Sequence, residues 1–239
     1  MDAKTIMAHV DHTLLKQTAT WDDIQVVCDD AIKYQAATVM IPSCFIPRIQ
    51  AKYGDKLKIA TVVGFPNGNC NTAAKIAETA QALADGAVEI DMVINIGMLK
   101  AGETDYVTEE IRALKRVCGN RILKVIVETC FLTEEEKIAA CKCVTEAGAD
   151  IIKTSTGFGT AGATLADIEL FKKNIGEGVG MKAAGGIHTR EEMEGFINPG
   201  CDEASSAFAV QLAEKYDFVY AAVGWHPEEL AGIKDEHYL

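Results

Sequence analysis

The chain has 239 residues, of which 23 are Lys or Arg and 35 are Asp or Glu, so its formal net charge is −12. This balance argues against a nucleic-acid-binding protein, because such proteins need a basic surface to contact phosphates. Hydrophobic residues make up 49% and charged residues 24% of the sequence, which excludes extended disorder. No run approaches the roughly 20 apolar residues that cross a bilayer, and the N-terminus lacks the apolar core of a signal peptide. For this reason we expect no membrane partner. The eight cysteines include no CxxC pair, so we expect a cytoplasmic protein with reduced thiols.

Seven short apolar runs recur along the chain and predict strands. Their apolar character is nearly continuous rather than alternating, which is typical of parallel strands covered on both faces. The predicted strands cover residues 9–15, 37–41, 59–65, 88–94, 122–128, 150–154 and 179–184.

Amphipathic helices are predicted between these strands, and several begin with a capping box. In each box a threonine is followed three residues later by an acidic residue, so each side chain can accept a hydrogen bond from the other residue's backbone N–H. The pairs are Thr20 with Asp23, Thr133 with Glu136, Thr164 with Asp167 and Thr189 with Glu192.

The regular alternation of strands and helices predicts an α/β fold with parallel strands and right-handed crossovers. Seven or eight such units close into a TIM (β/α)8 barrel, for which about 250 residues is typical. A doubly wound open sheet is the alternative. Against it, the GxGxxG motif is absent after the first predicted strand, and Gly157 and Gly159 follow a late strand instead.

Four charged residues interrupt otherwise apolar strands and are candidate catalytic groups: Asp91, Lys124, Lys153 and Lys182. A single strand lysine is usually an edge or snorkelling residue, but three lysines and an aspartate at equivalent depth indicate a site. Burial and a neighbouring cation lower the pKa of an amine, so one lysine can be neutral and attack an aldehyde to form a Schiff base. Such chemistry needs no metal or cofactor, and the five histidines include no HxH or HExxH pair.

Two glycine-rich segments follow late strands and predict a phosphate site. Gly157 follows the sixth predicted strand, and Gly185 and Gly186 follow the seventh. Each segment precedes a threonine-capped helix, and backbone N–H groups at helix N-termini bind anions. An ordinary βα turn is the alternative for either segment alone, but next to strand lysines they favour a small phosphorylated sugar as the substrate.

Six motifs resemble those of the deoxyribose-phosphate aldolase family and occur in that family's order over residues 1 to about 198. The motifs are DHTLLK at 11–16, TVVGFP at 61–66, EIDMVINIG at 89–97, LKVIVET at 123–129, IKTSTGF at 152–158 and KAAGGI at 182–187.

The resemblance implies a class I aldolase, a lyase that reversibly cleaves 2-deoxy-D-ribose 5-phosphate into glyceraldehyde 3-phosphate and acetaldehyde. By matching motif, Lys153 would be the Schiff-base nucleophile, Lys182 the cation that depresses its pKa, and Asp91 the acid/base residue of a proton relay. Asp11 would support that relay or orient Lys182. The glycines at 157, 185 and 186 would help hold the phosphate. Where the family often has Arg, this chain has His188, which would bind phosphate less firmly.

The C-terminal part departs from the family. Where the family's last strand reads RIGTSSG, residues 199–206 read PGCDEASS. Residues 212–227 instead resemble a segment of TatD-like metal-dependent hydrolases. We therefore expect an aldolase barrel over 1–198 and an atypical helix-strand-helix segment over 199–239, in which residues 218–223 replace the eighth strand and close the barrel. The alternative is a tail that leaves a seven-stranded sheet open.

Two other functions remain alternatives to an active aldolase. A folded barrel with impaired catalysis follows if the missing last-strand motif is essential for phosphate binding. A metal-dependent hydrolase rests on the Gly-Trp-His-Pro element at 224–227 alone. For the assembly, a homodimer is the default expectation.

Overall fold

A computed structural model describes residues 3–198 and 200–205, and its centre is one parallel sheet of eight strands. The strands follow one another in the sheet in chain order, each paired in parallel with the next. They are β1 (Asp11–Thr13), β2 (Thr38–Met40), β3 (Ile59–Val63), β4 (Glu89–Val93), β5 (Ile122–Ile126), β6 (Ile151–Lys153), β7 (Gly180–Ala184) and β8 (Glu203–Ser205). The first seven confirm the seven predicted strands.

Helices alternate with the strands, as the βα spacing predicts. They are α1 (Ala3–Met7), α2 (Trp21–Tyr34), α3 (Ile46–Tyr53), α4 (Thr72–Asp85), α5 (Ile96–Lys100), α6 (Thr104–Cys118), α7 (Glu134–Ala147), α8 (Leu165–Asn174) and α9 (Arg190–Ile197). Within the described ranges, none of these helices combines the length and apolar character needed to cross a membrane.

The predicted helix caps are present. Reciprocal capping boxes start α2 at Thr20, α7 at Thr133 and α9 at Thr189. The Thr164 side chain accepts a hydrogen bond from the Asp167 N–H at the start of α8. Each cap satisfies backbone donors that the first helical turn leaves unpaired, so these threonines fix where each helix leaves its preceding loop.

The sheet curls until β8 lies against β1, which gives the TIM-barrel architecture. The Asp202 backbone N–H donates to the Met181 carbonyl, while the Asp202 carbonyl lies 2.6 Å from His9 Nδ1. Glu203–Ser205, which the sequence assigned to the atypical segment, thus occupies the place beside β7. The predicted surrogate strand at 218–223 and the TatD-like segment at 212–227 lie outside the described residues and remain predictions.

The strands are buried on both faces, as their continuous apolar character predicts. Outward side chains such as Ile90 and Val125 pack under the helices in one apolar core. All eight cysteines are free thiols, and five of them are buried. Inside the barrel, charged side chains replace apolar ones in the layers that form the site.

Candidate active site

Strand register brings the predicted charged residues together inside the barrel. Lys153 of β6 pairs with Lys182 of β7, and Asp91 of β4 pairs with Lys124 of β5. Asp11 of β1 faces them across the interior. All five are almost completely buried. Buried charges are rare unless they are paired, so this arrangement is a specific feature of the fold rather than a solvated surface.

Lys153 lies at the edge of the cluster, with Asp91 as its partner. Its Nζ donates to Asp91 Oδ2 at 2.6 Å. Burial lowers the pKa of Lys153 to about 8, with the nearby Lys182 ammonium adding to the effect and Asp91 opposing it. Most of this amine is still protonated near neutral pH, but its neutral, nucleophilic fraction is far larger than that of a lysine with an ordinary pKa.

Lys182 lies between two carboxylates and keeps its charge. Its Nζ donates to Asp11 Oδ2 in a short contact and to Asp91 Oδ2 at 3.2 Å. Burial disfavours the ammonium form, but the two carboxylates outweigh it and hold the pKa of Lys182 above its ordinary value. The surroundings therefore shift the two neighbouring lysines in opposite directions: the pKa of Lys153 is lowered and that of Lys182 is raised.

The two oxygens of Asp91 have different surroundings. Oδ2 accepts hydrogen bonds from both Lys153 and Lys182. Oδ1 is buried and has no hydrogen-bond partner among the described residues. Burial raises the pKa of Asp91, but the lysines outweigh it, so the pKa lies below its usual range. A buried oxygen without a partner is rare and marks where a reacting group would find an acceptor.

Asp11 anchors the far side of the cluster. Its Oδ1 accepts from Thr38 Oγ1 at 2.7 Å, and its Oδ2 contacts both Lys182 and, at 3.0 Å, Lys124. Despite burial, these lysines lower the pKa of Asp11 far below its usual value. Asp11 therefore positions the Lys182 ammonium through this direct contact.

Sequence reasoning missed part of this network. Lys124 was identified as an unusual strand residue but given no role, and Thr38, Glu89 and Glu203 were not identified at all. Thr38 and Glu203 give no pattern signal, because a threonine in a strand is ordinary and β8 is only three residues long. Glu89, an acidic residue inside an apolar strand, could have been found by the same criterion as Asp91.

Three carboxylates near the base of the cluster have spacing compatible with a metal ion. Oxygens of Asp11, Glu89 and Glu203 lie within 4.8 Å of one another. The Lys124 ammonium contacts all three, at 3.0 Å from Asp11, at 2.6 Å from Glu89 and in a short contact with Glu203. The Lys124 ammonium thus occupies the position where a metal cation would bind. Burial disfavours its charged form, but the surrounding carboxylates outweigh burial and hold the pKa of Lys124 well above its ordinary value.

The predicted phosphate glycines lie on two adjoining loops. Gly157, Gly185 and Gly186 have φ angles of 84°, 75° and 71°, a region that side chains with a Cβ rarely adopt. A Cβ on Gly162 would collide with the backbone of Gly185, and Ala163 N–H donates to the Gly185 carbonyl at 3.1 Å. The loops after β6 and β7 therefore form one continuous backbone surface. His188 follows on an exposed position, and its N–H donates to Glu192 Oε2 at 2.6 Å.

Glu128 fixes the loop after β6 from a strained conformation. It is buried, and its φ of 56° is unusual for a residue other than glycine. Its carboxylate accepts hydrogen bonds from the backbone N–H and the hydroxyl of Thr156. The loop that carries Gly157 also places Phe158 against Phe65, edge to face with ring centroids 5.2 Å apart. Glu128 was not among the predicted site residues.

Comparisons with known proteins agree with this geometry. The family model described as DeoC/LacD family aldolase matches residues 5–204, and so extends through Glu203. A deoxyribose-phosphate aldolase of Clostridium botulinum (strain Eklund 17B / Type B) is 65% identical over 212 residues, which cover 89% of this chain and 96% of the relative. One from Streptococcus pyogenes serotype M4 is 50% identical over 214 residues, covering 90% and 96%.

A solved structure gives the same result for the fold. The structure described as a unique tetrameric deoxyribose phosphate aldolase from Aeropyrum pernix has a TM-score of 0.82 and 25% identity, covering 90% of this chain and 92% of that chain. The family model covers most of the barrel, including the strands that carry the buried lysine pair and its carboxylate partner. This chain therefore belongs to the DeoC/LacD aldolase family.

Proposed function

We propose that this protein is a class I aldolase that reversibly cleaves 2-deoxy-D-ribose 5-phosphate into D-glyceraldehyde 3-phosphate and acetaldehyde. One observation carries the proposal: the amine of Lys153, with its pKa lowered to about 8, is hydrogen-bonded to Asp91 beside the ammonium group of Lys182. The names of the curated relatives supply the substrate.

In the cleavage direction, the neutral Lys153 amine attacks the aldehyde carbon of the open-chain sugar. Loss of water from the resulting carbinolamine gives an iminium ion on Lys153. A base removes the proton of the hydroxyl on the third carbon, the bond between the second and third carbons breaks, and its electrons flow into the iminium to give an enamine. Glyceraldehyde 3-phosphate leaves at this step. Protonation of the enamine carbon and hydrolysis then release acetaldehyde and restore the amine.

Asp91 and Lys182 are positioned to move the protons of this sequence. Asp91 contacts the nucleophile through Oδ2, and its unpartnered Oδ1 offers an acceptor in the same buried space. Lys182 contacts the same carboxylate and is protonated, so it can resupply a proton that Asp91 passes on. Asp11 orients Lys182 from the opposite side.

The glycine loops supply the phosphate contact in this proposal. Gly157 lies four residues after β6, which carries Lys153, and Gly185 and Gly186 follow directly after β7, which carries Lys182. Helix α9 begins four residues after Gly186, but its N-terminal N–H groups are already capped by Thr189 and Glu192, so the phosphate contact rests on the glycine loops themselves. The neutral form of His188 adds less attraction for phosphate than an arginine would.

Borohydride trapping tests the proposal directly. With acetaldehyde and borohydride, the protein should gain one ethyl group, located on Lys153 by peptide mass spectrometry, and Lys153→Ala should gain none. Lys137, which is paired with Asp167 outside the lysine cluster, offers a matched control, since Lys137→Ala should still be labelled at Lys153. If the protein remains unlabelled at Lys153, it is not a Schiff-base aldolase. Labelling without turnover of deoxyribose phosphate would favour the impaired barrel.

We also propose a homodimer in the cytoplasm. The eight free thiols fit a reducing compartment, and two-fold dimers are the commonest assembly of soluble proteins. The Aeropyrum pernix relative is described as tetrameric, so light scattering should discriminate between a dimer and a tetramer of this chain.

A further inference from the structure

A carboxylate from the last described strand enters the buried cluster and has no part in the chemistry described above. Glu203 of β8 pairs in register with Lys182 of β7. Its side chain is turned into the barrel, where it contacts Lys124 Nζ, and its Oε2 lies 3.6 Å from Lys182 Nζ. The side chain is 14% exposed, so little water screens these interactions.

Glu203 adds a fourth carboxylate to a cluster in which the buried lysines share their anionic partners. Three lysines share the interior with four acidic residues. Lys182 shares Asp91 with Lys153 and shares Asp11 with Lys124. Among the described residues, Glu203 is the further carboxylate within ion-pair distance of Lys182, so without it Lys182 would depend on two carboxylates that other lysines also contact.

We propose that Glu203 is a positioning residue for Lys182, holding its ammonium charged and in contact with Asp11 and Asp91. This inference rests on the proposed aldolase function. The groups that face Lys182 come from five strands: Asp11 of β1, Asp91 of β4, Lys124 of β5, Lys153 of β6 and Glu203 of β8. Two of these groups are lysines, whose positive charges disfavour the ammonium form of Lys182. Each neighbouring carboxylate therefore contributes to keeping Lys182 protonated.

Glu203→Gln keeps the shape of the side chain and removes its charge. Even with the dielectric constant of water, a unit charge at this distance changes the pKa of a neighbouring group by about one, and burial enlarges the effect. Lys182 should therefore lose its proton at a pH lower by about one or more. In the proposed relay Lys182 resupplies the proton that Asp91 passes on, so the alkaline limb of the kcat/KM profile should move to lower pH by the same amount.

Glu89→Gln is the matched control. Like Glu203, Glu89 contacts Lys124, and its Oε2 lies 2.6 Å from Lys124 Nζ. Unlike Glu203, Glu89 forms no ion pair with Lys182 within the described part of the chain. The control variant should thus perturb Lys124 and leave the alkaline limb unchanged. The titration of Lys182 itself is followed by NMR of protein labelled with 15N-lysine, with its Nζ signal assigned by its loss in Lys182→Leu. This measurement does not depend on turnover.

The outcomes separate this inference from the proposed function. A Lys182 titration that is the same in Glu203→Gln as in the unaltered protein, or that moves equally in Glu89→Gln, overturns the role of Glu203. Absence of trapping on Lys153 overturns the proposed aldolase function. It does not affect the NMR titration of Lys182, which tests the role of Glu203 separately. Should Glu203→Gln fail to fold by circular dichroism, Glu203→Asp replaces it. Its shorter side chain weakens the contact with Lys182, so the titration should again move to lower pH, and an unchanged titration overturns the role.

Discussion

Two regions of this molecule bury lysine completely, and they use it in opposite ways. Outside the barrel, Lys75 of α4 is paired with Glu110 of α6 at 2.8 Å and also donates to the Val93 carbonyl at 2.7 Å. The second oxygen of Glu110 accepts from the Asn95 N–H at 3.1 Å. Inside the barrel, Lys153 and Lys182 share a single oxygen of Asp91. Burial is thus common to both regions, and only one of them has the means for chemistry.

The difference lies in how completely each charge is satisfied. The outer pair has one cation, one anion and hydrogen bonds for both carboxylate oxygens, which is the arrangement of a structural ion pair. The inner cluster has like charges side by side and an acceptor, Asp91 Oδ1, without a partner among the described residues. Crowded cations make it easier for one lysine to lose its proton. A buried lysine is therefore a catalytic candidate when its neighbours compete with it.

The largest expected effect is that of Lys153→Ala. Without the amine no Schiff base forms, and cleavage of deoxyribose phosphate should fall by on the order of 10⁴-fold or more. Asp91 keeps Lys182 as a partner, so the variant should remain folded. An assay of aldehyde release together with a thermal melt checks both statements. Residual activity close to that of the unaltered protein would contradict the assignment of the nucleophile.

Lys75→Met should have the opposite signature. It leaves Glu110 buried without its cation, which lowers the free energy of unfolding by about 3–5 kcal/mol, while turnover per folded molecule changes little. Urea denaturation measures the first quantity and the assay the second. The double variant Lys75→Met with Glu110→Leu should recover much of the stability, because no unpaired charge remains. A large loss of turnover with unchanged stability would break the comparison between the two regions.

Lys182→Leu should show that the neighbouring cation adds to the effect of burial on the pKa of Lys153. Removing the cation raises the pKa of Lys153 above about 8, so the acid limb of the kcat/KM profile moves to higher pH. If the pKa rises by about one, the neutral fraction at neutral pH falls about tenfold, and raising the pH should restore part of this loss. The pH dependence of borohydride trapping measures the new pKa independently of the later steps. An acid limb that stays in place would mean that burial alone sets this pKa.

The smallest effect is expected for Gly185→Ala, which leaves both lysine regions untouched. Its φ of 75° and the 3.2 Å approach of a Cβ to the Gly162 Cα strain an alanine. We expect KM for the phosphorylated sugar to rise roughly tenfold, from a conformational penalty of about 1–2 kcal/mol. Activity with unphosphorylated deoxyribose should change much less. Equal losses with both substrates would place this loop in the chemistry rather than in phosphate binding.

Much of the barrel and of the inner cluster follows from local sequence patterns. Continuous apolar runs predict β1 to β7, and a lysine or aspartate inside such a run stands out because the rest of the strand is apolar. For this reason Lys153, Lys182 and Asp91 are predictable. The Schiff-base role of Lys153 still needs the resemblance, because the pattern alone does not say which lysine is neutral.

Other features depend on contacts between distant parts of the chain. Glu203 enters the cluster because β8 follows β7 in register, and the sequence of a three-residue strand has no period to reveal it. The Lys75–Glu110 pair joins two helices whose charged residues look like any solvated helix face. Glu128, which has a left-handed conformation, is hydrogen-bonded through its carboxylate to Thr156 on the loop after the next strand. In each case the partner lies far away in the chain, where periodicity gives no information.

The meeting of the two glycine loops has a consequence for how the protein responds to its substrate. Gly162 lies directly against Gly185, and Ala163 is hydrogen-bonded to the same residue, so neither loop can shift without displacing the other. These loops continue the strands that carry Lys153 and Lys182. An anion that orders one loop therefore orders both, and amide hydrogen exchange in the two loops should slow together. Binding of an anion would thus order the loops that follow Lys153 and Lys182 in a single event.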